Sequence, residues 1–309
     1  MASSPEADAI VASLPIVDAH HHVWDLSLKA HPWLTGTPLG SFRYGDYAAI
    51  RRSYLPADYR RDAARANVVK SVYVETEWND SDPIGETRWV HETATREGLP
   101  HAIVAQAWLD RADVAQVLAQ QAEFPLVRSV RHKPKAAARP QDARRGAPGS
   151  MDCRHWRDGF ALLAKYGLHF DLQTPWWHLD AAAELAKHFP ATTIILNHAG
   201  LPSDRSADGL AAWRSAMERL ASHANVMVKI SGLGVPGRLW TAELQGPVVR
   251  DVIAVFGAER VMFASNYPVD SLVATFDEIY GSFLEITRNL PEVVRRQLFH
   301  DNAVRIYRL

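Results

Sequence analysis

Short apolar, β-branched runs recur along this chain, and stretches with helical spacing of apolar residues lie between them. Eight such runs predict strands: Ile16–His22, Val68–Thr76, Ala102–Trp108, Leu126–His132, His169–Thr174, Thr193–His198, Val226–Ser231 and Arg260–Asn266. Helices are expected over Pro83–Glu97, Arg111–Gln121, Cys153–Lys165, Leu179–His188, Gly209–Ser222, Pro247–Phe256, Ser271–Thr287 and Pro291–Phe299. Eight strands alternating with helices predict an α/β fold, a (β/α)8 TIM barrel, as one domain over residues 1–309. An open doubly wound sheet is the alternative. It usually carries a Gly-rich turn after its first strand, and this chain has none there.

Two stretches interrupt the alternation. Residues 25–59 hold His31-Pro32-Trp33-Leu34, then Gly36, Pro38 and Gly40, and form no long periodic element until a short helix from Pro56. This predicts an extended loop over the barrel mouth, and long ordered loops are often functional. Ala136–Gly149 is rich in Arg, Pro and Gly, and reads as a mobile lid or a solvated insertion.

Composition narrows the function. A formal net charge of −1 argues against a nucleic-acid binder or a partner of acidic membranes. One cysteine, Cys153, excludes an internal disulfide framework and a cysteine-based zinc site, and fits a cytoplasmic location. Met1–Ala12 lacks the basic and apolar segments of a secretory signal, and no apolar run approaches about 18 residues, so no membrane span is expected. A small-molecule substrate is the expected partner, with a homo-oligomer allowed. Trp78, Trp176, Trp177 and Trp240 fall in loops and are candidates to wall a pocket, although core packing explains each singly.

The polar residues fall at one end of the predicted strands. Ile16-Val17-Asp18-Ala19-His20-His21-His22 ends the first apolar run in three histidines. Alternate strand residues share a face, so His20 and His22 point together and His21 points away. Two imidazoles side by side can hold a divalent metal or polarise a carbonyl oxygen. Glu75 ends strand two, Arg131 and Lys133 end strand four, Gln173 lies on strand five, His198 ends strand six, Lys229 lies on strand seven, and Asn266 and Asp270 follow strand eight. Chemistry in such a barrel sits at the C-terminal strand ends. Glu75 serves either in a direct role or in a structural ion pair with Arg131 or Lys229. Asp18 is expected to support the loop after strand one, and His132 to be structural.

The chain resembles the amidohydrolase superfamily, more narrowly the amidohydrolase-2 group that holds sugar lactonases and 2-pyrone-4,6-dicarboxylate lactonase. The resemblance rests on Val-Asp-Ala-His-His-His-Val-Trp-Asp-Leu, Ser-Val-Arg-His, Leu-Asn-His-Ala-Gly, Val-Met-Phe-Ala-Ser-Asn-Tyr-Pro-Val and the closing Asp-Asn-Ala-Val-Arg-Ile-Tyr. It maps the family's His-x-His pair to His20 and His22, and its strand-six histidine to His198. The family's strand-eight aspartate, a general base and metal ligand, stands here as Asn266. An amide can ligate or hydrogen-bond a water but cannot take up a proton as a carboxylate does. Asp270, or Glu75 or Glu77, is then the candidate replacement base. Gln173 occupies the end of strand five, with His178 beyond, and no bridging lysine is evident on strand four. The resemblance therefore implies at most one divalent metal, such as zinc, held by His20, His22 and His198, and no organic cofactor.

The reaction implied is hydrolysis of a small acidic or polyhydroxylated lactone. His20, His22 and His198 would polarise the carbonyl, Asn266 and Asp270 would handle the water, and Arg131, Lys133 and Lys229, with Glu75 and Gln173, would hold the substrate. Two other readings stay open: a metal-dependent decarboxylase of an aromatic or unsaturated acid, and a ligand-binding barrel without catalysis.

Overall fold

The computed structural model describes residues 14–40 and 42–309. The stretch Met1–Ala12, read above as lacking a secretory signal, lies outside them. Eight strands form one parallel sheet in sequence order. They are β1 Ile16–His21, β2 Val68–Val74, β3 Ala102–Gln106, β4 Val127–Arg131, β5 His169–Leu172, β6 Ile194–Leu196, β7 Val226–Ile230 and β8 Val261–Phe263. Helices follow on the outside, making the (β/α)8 barrel. No helix among the described residues is long and apolar enough to cross a membrane.

The strands read as continuous apolar runs because parallel strands are covered on both faces. Val17, Ala19, Val72, Val74, Val104 and Ile195 pack together inside, capped by Ile306 and Tyr307 of the last helix. A second cluster lies between sheet and helices, where Phe160, Phe170, Trp213 and Phe283 are wholly buried. Burying each such side chain contributes about 2–3 kcal/mol.

The barrel closes where its first and last strands meet. Asn266 N donates to His20 O at 2.8 Å, and His22 N donates to Tyr267 O at 2.7 Å. Deeper in the seam a side chain replaces the ladder. Asp18, fully buried, accepts the Ser265 N–H at 2.8 Å and hydroxyl at 2.6 Å. It also accepts the hydroxyls of Tyr59 at 2.8 Å and Tyr280 at 3.2 Å.

Several strands end earlier than the apolar pattern suggests. β6 stops at Leu196 and β8 at Phe263, so His198 and Asn266 stand on irregular backbone. The cause is local. Glu77, His198, Ala199, Leu201 and Asn266 all have φ between 50° and 58°, and Gly200 and Gly232 are left-handed too. Such angles cannot continue a strand, and in residues other than Gly they are uncommon and concentrate at functional sites. Four left-handed residues in succession, His198–Leu201, make a short reversed turn, and Trp213 Nε1 holds it by donating to Ala199 O at 2.8 Å.

Several helices also differ from the sequence reading, two of them near the site. The helix expected from Pro247 begins at Ala242, because Thr241 caps it by accepting from Leu244 N, and Pro247 is carried inside. The helix expected over Ser271–Thr287 divides into a turn at Val269–Leu272 and a helix at Phe276–Ile286, started by a Thr275/Glu278 capping box. The 25–59 loop ends in the helix Pro56–Asp62 and is pinned to β2's end. His31 Nε2 meets the Thr76 hydroxyl at 2.8 Å, and Trp33 Nε1 donates to Thr76 O at 2.8 Å. The 136–149 segment is tied down by Trp177, which donates to Ala137 O, and by His178, which accepts from Ala137 N.

Candidate active site

Three imidazoles meet at the C-terminal mouth of the barrel. The His20 ring centroid lies 5.0 Å from that of His22 and 4.7 Å from that of His198. Burial is the first reason that all three stay neutral well below the ordinary histidine range. Nearby cations add to it: Lys229 acts on His20, Arg131 on His22 and Arg43 on His198. His20 has no hydrogen-bond partner for either buried ring nitrogen. An unpaired buried donor or acceptor costs about 1–3 kcal/mol; His21 carries the same cost, and what sets His20 apart is its place between His22 and His198. His21, on the other face, stacks on Tyr59 at 4.3 Å.

The tautomer of His22 follows from its neighbours. Nδ1 lies 2.8 Å from Val74 O, and a carbonyl only accepts, so Nδ1 carries the hydrogen. Nε2 is then a lone pair, and it faces Asn266 Oδ1 at 3.3 Å. Asn266 Nδ2 donates to Asp270 Oδ1 at 2.6 Å. Two acceptors thus face each other across a gap that suits a cation. Turning the amide over would set its carbonyl against Asp270, which is tolerable only when that carboxyl is protonated.

Asp270 re-enters the site from beyond β8. Its Oδ1 accepts from Asn266 and from the Tyr44 hydroxyl at 2.9 Å, while buried Oδ2 has no partner at close hydrogen-bond geometry and the Gly232 N–H lies near the carboxyl. Burial pushes its carboxyl up to about 6, against the opposing charge of Arg43. Tyr44 comes from the long loop after β1.

The predicted cations are already paired. Arg131 binds Glu75 through Nε, donates to Glu75 O at 2.5 Å, and reaches Gln173 Oε1 at 3.1 Å. Burial alone would raise Glu75, but Arg131 and Lys133 hold it below its ordinary value. Lys229 Nζ contacts Asp171 Oδ1 at 2.6 Å inside the barrel, where Tyr307 also donates to Asp171. Lys133 pairs with Glu77 at the rim. His132 accepts from Leu109 N and Trp156 Nε1, both at 3.0 Å, and is structural. Trp78 packs on His31 and Trp240 on Phe283.

The donor chemistry at the histidines fits one divalent ion: neutral imidazoles, orphaned nitrogens on His20, and a lone-pair gap between His22 and Asn266. Among the described residues no three His, Cys, Asp or Glu side chains are grouped closely enough to hold a metal ion, so the three histidines do not yet converge on one point. His198 Nδ1 lies 2.9 Å from Ser231 Oγ, which fixes its ring and leaves Nε2 toward the mouth.

Sequence reasoning passed over Tyr44, Arg43 and Arg205. All three lie in irregular segments with no periodic signal. Their one trace is position: 43 and 44 fall in the long loop after β1, and 205 in the turn after β6.

Comparison with known proteins agrees with this architecture. The family model described as Amidohydrolase matches residues 17–309. An uncharacterised protein, y4mH, of Sinorhizobium fredii is 38% identical over 97% of this chain and 100% of its own length. An L-fucono-1,5-lactonase of Burkholderia ambifaria is 28% identical, covering 95% of each chain. The crystal structure of an amidohydrolase from Burkholderia multivorans with bound zinc superimposes with a TM-score of 0.77 at 25% identity, covering 95% of this chain and 99% of that one. With its barrel, its mouth of histidines and a match over nearly its whole length, the chain belongs to the amidohydrolase family of hydrolases.

Proposed function

We propose that this protein is a lactonase that opens a small lactone by attack of an activated water. One observation carries the reading: three neutral imidazoles meet at the barrel mouth, both nitrogens of His20 among them without a partner, and Asn266 links His22 to the buried carboxylate of Asp270. The kinship to L-fucono-1,5-lactonases supports the choice of bond. A divalent ion such as zinc, held by His20, His22 and His198, would supply the positive charge that polarises the ester carbonyl.

The chain's own residues divide the remaining work. Asp270 takes a proton from the water as its oxygen adds to the carbonyl carbon. The ring C–O bond then breaks, and the same proton passes to the leaving ring oxygen, giving a hydroxy acid. Asn266 cannot accept that proton; it ties Asp270 Oδ1 to the His22 edge and leaves Oδ2 for the water. Tyr44 holds the same Oδ1. Ser231 fixes the His198 ring. The reading takes the protein as cytoplasmic, consistent with its lone free Cys153, and gives it no organic cofactor.

The test is a pH-indicator screen over aldonolactones, coupled to metal analysis of the purified protein. Acid release from a lactone, lowered on the order of 10²-fold or more in Asp270→Asn, is the expected result. Release of carbon dioxide from an aromatic acid with no lactone opened would replace this reading by a decarboxylase. Binding without turnover would leave a ligand-binding barrel.

A further inference from the structure

The cations expected to hold substrate are spent on partners, but two others are not. Arg205 Nη2 donates to Leu233 O at 2.8 Å and to Gln245 Oε1 at 3.1 Å, while its Nε and Nη1 are buried with no acceptor. Arg43 stacks on the Tyr44 ring at 4.9 Å. Among the described residues no ion pair neutralises either guanidinium.

Both reach the same corner as His198. A Cβ added at Gly232 would lie 2.6 Å from His198 Nδ1 and 3.0 Å from Arg43 Nη1. Arg205 is fastened to the next residue, Leu233. Ser231, Gly232 and Leu233 therefore gather an imidazole and two guanidiniums. The pair is electrostatically uncomfortable: burial first, then the Arg43 charge, depress Arg205 to about 10. Asp270 is the carboxylate that feels Arg43, and it is engaged by Asn266 and Tyr44. Like charges held together over empty donors create a site for an anion.

We propose that Arg43 and Arg205 form a carboxylate-binding subsite beside His198, so that the substrate is a lactone carrying a free carboxylate in addition to its ester. The assignment rests on the lactonase reading, and it moves substrate recognition from Arg131, Lys133 and Lys229 to the loops after β1 and β6. A neutral aldonolactone would leave the buried Arg205 N–H groups unpaired. An acidic lactone would satisfy them and offset the repulsion from Arg43.

Calorimetric binding of two inert hydroxy acids tests this: galactarate, with two carboxylates, and galactonate, with one. The wild-type protein should bind galactarate at least about tenfold more tightly. Arg43→Met and Arg205→Met should each bring the ratio near one, while Arg205→Lys retains part of it. Thermal melting checks folding; if Arg205→Met fails to fold, Arg43→Met and Arg205→Lys carry the test. A wild-type ratio near one, a ratio unchanged in folded variants, or tighter binding of inorganic phosphate than of galactarate would overturn the subsite. Lactone opening is measured separately. Hydrolysis of neutral lactones without diacid preference would sink the subsite and spare the lactonase reading. Arginine-dependent diacid preference with no lactone opened would do the reverse.

Discussion

Asp18 accepts both the backbone N–H and the side-chain hydroxyl of Ser265, so one carboxylate fastens β1 to the chain after β8. Its remaining lone pairs take the hydroxyls of Tyr59 and Tyr280. Asp18→Ala strands five donors in a dry seam, the His20 N–H at 3.4 Å included, and should cost about 3–5 kcal/mol, whereas Ser265→Ala removes one donor and should cost about 1–2 kcal/mol. Urea unfolding measures both. Equal, small losses would show that the seam holds without this carboxylate.

Gly232 and Gly237 separate strain from contact. Both have positive φ, 58° and 72°. A Cβ at Gly232 meets His198, while one at Gly237 meets nothing within 4 Å. Each Gly→Ala change should cost about 1 kcal/mol through the backbone. Only Gly232→Ala should also lower kcat/KM, because its Cβ pushes the His198 ring from Ser231 and presses on the Arg43 guanidinium. Equal activities in the two variants would mean that neither the ring position nor the Arg43 position is critical.

Asp270, Tyr44 and Asn266 should grade the chemistry. Asp270→Asn is expected to lower kcat on the order of 10²-fold or more, as for loss of a general base. Tyr44→Phe keeps the carboxylate and should cost only severalfold. Asn266→Asp should fold normally and strengthen metal binding by adding an anionic ligand. A near-normal rate in Asp270→Asn would turn the search to Glu75 and Glu77.

One buried acid away from the histidines sets a pH dependence of stability. Glu86 Oε1 accepts from Tyr73 at 2.7 Å, Thr76 N at 2.6 Å and the Thr76 hydroxyl at 2.7 Å, and its Oε2 has no partner. Burial first, then the Glu75 charge, raise its carboxyl to about 7 from an ordinary 4.5. Between those values the folded chain keeps a proton that the unfolded chain has lost. Its contribution is therefore complete below about 4.5 and is lost as pH rises through about 7, by up to about 3 kcal/mol. Unfolding free energies at pH 5 and pH 8 should differ accordingly, and Glu86→Gln should narrow the difference. Identical pH profiles for the two proteins would refute the shift.

Removal of metal tests the histidines directly. Dialysis against a chelator should abolish acid release without unfolding the barrel, and one equivalent of zinc should restore it. His20→Ala, His22→Ala and His198→Ala should each weaken zinc retention as well as turnover. Full activity in protein shown to hold no metal would leave the imidazoles to act by hydrogen bonding alone.

The barrel was legible because its strands are buried on both faces and so read as unbroken apolar runs, from Ile16 to Val261. His20 and His22 were visible as a period-two pair, and Asp270 as a carboxylate just past a strand. The Glu75–Arg131 ion pair was one of the two readings open for Glu75, but the partner of Lys229 was not visible. Nothing local distinguishes Lys229, locked to Asp171, from a lysine waiting for substrate, because the pairing joins residues 58 positions apart. Arg43 and Arg205 left no pattern, since loop backbone has no period to betray which way a side chain faces. The early ends of β6 and β8 were hidden for a similar reason: left-handed angles at His198, Ala199 and Asn266 end the strands, and although Asn and His tolerate such angles, nothing in an apolar run marks where they fall.

The seam has a consequence for how the molecule comes into being. His22 and Asn266 stand 244 positions apart and touch only because β1 and the end of β8 are zipped together. A chain growing on a ribosome carries His20 and His22 long before Asn266, and has no assembled site until the segment through Asp270 has emerged and docked. Partial barrels should bind neither metal nor substrate as the finished one does. Activity in a lysate would therefore count completed molecules and ignore arrested or truncated ones.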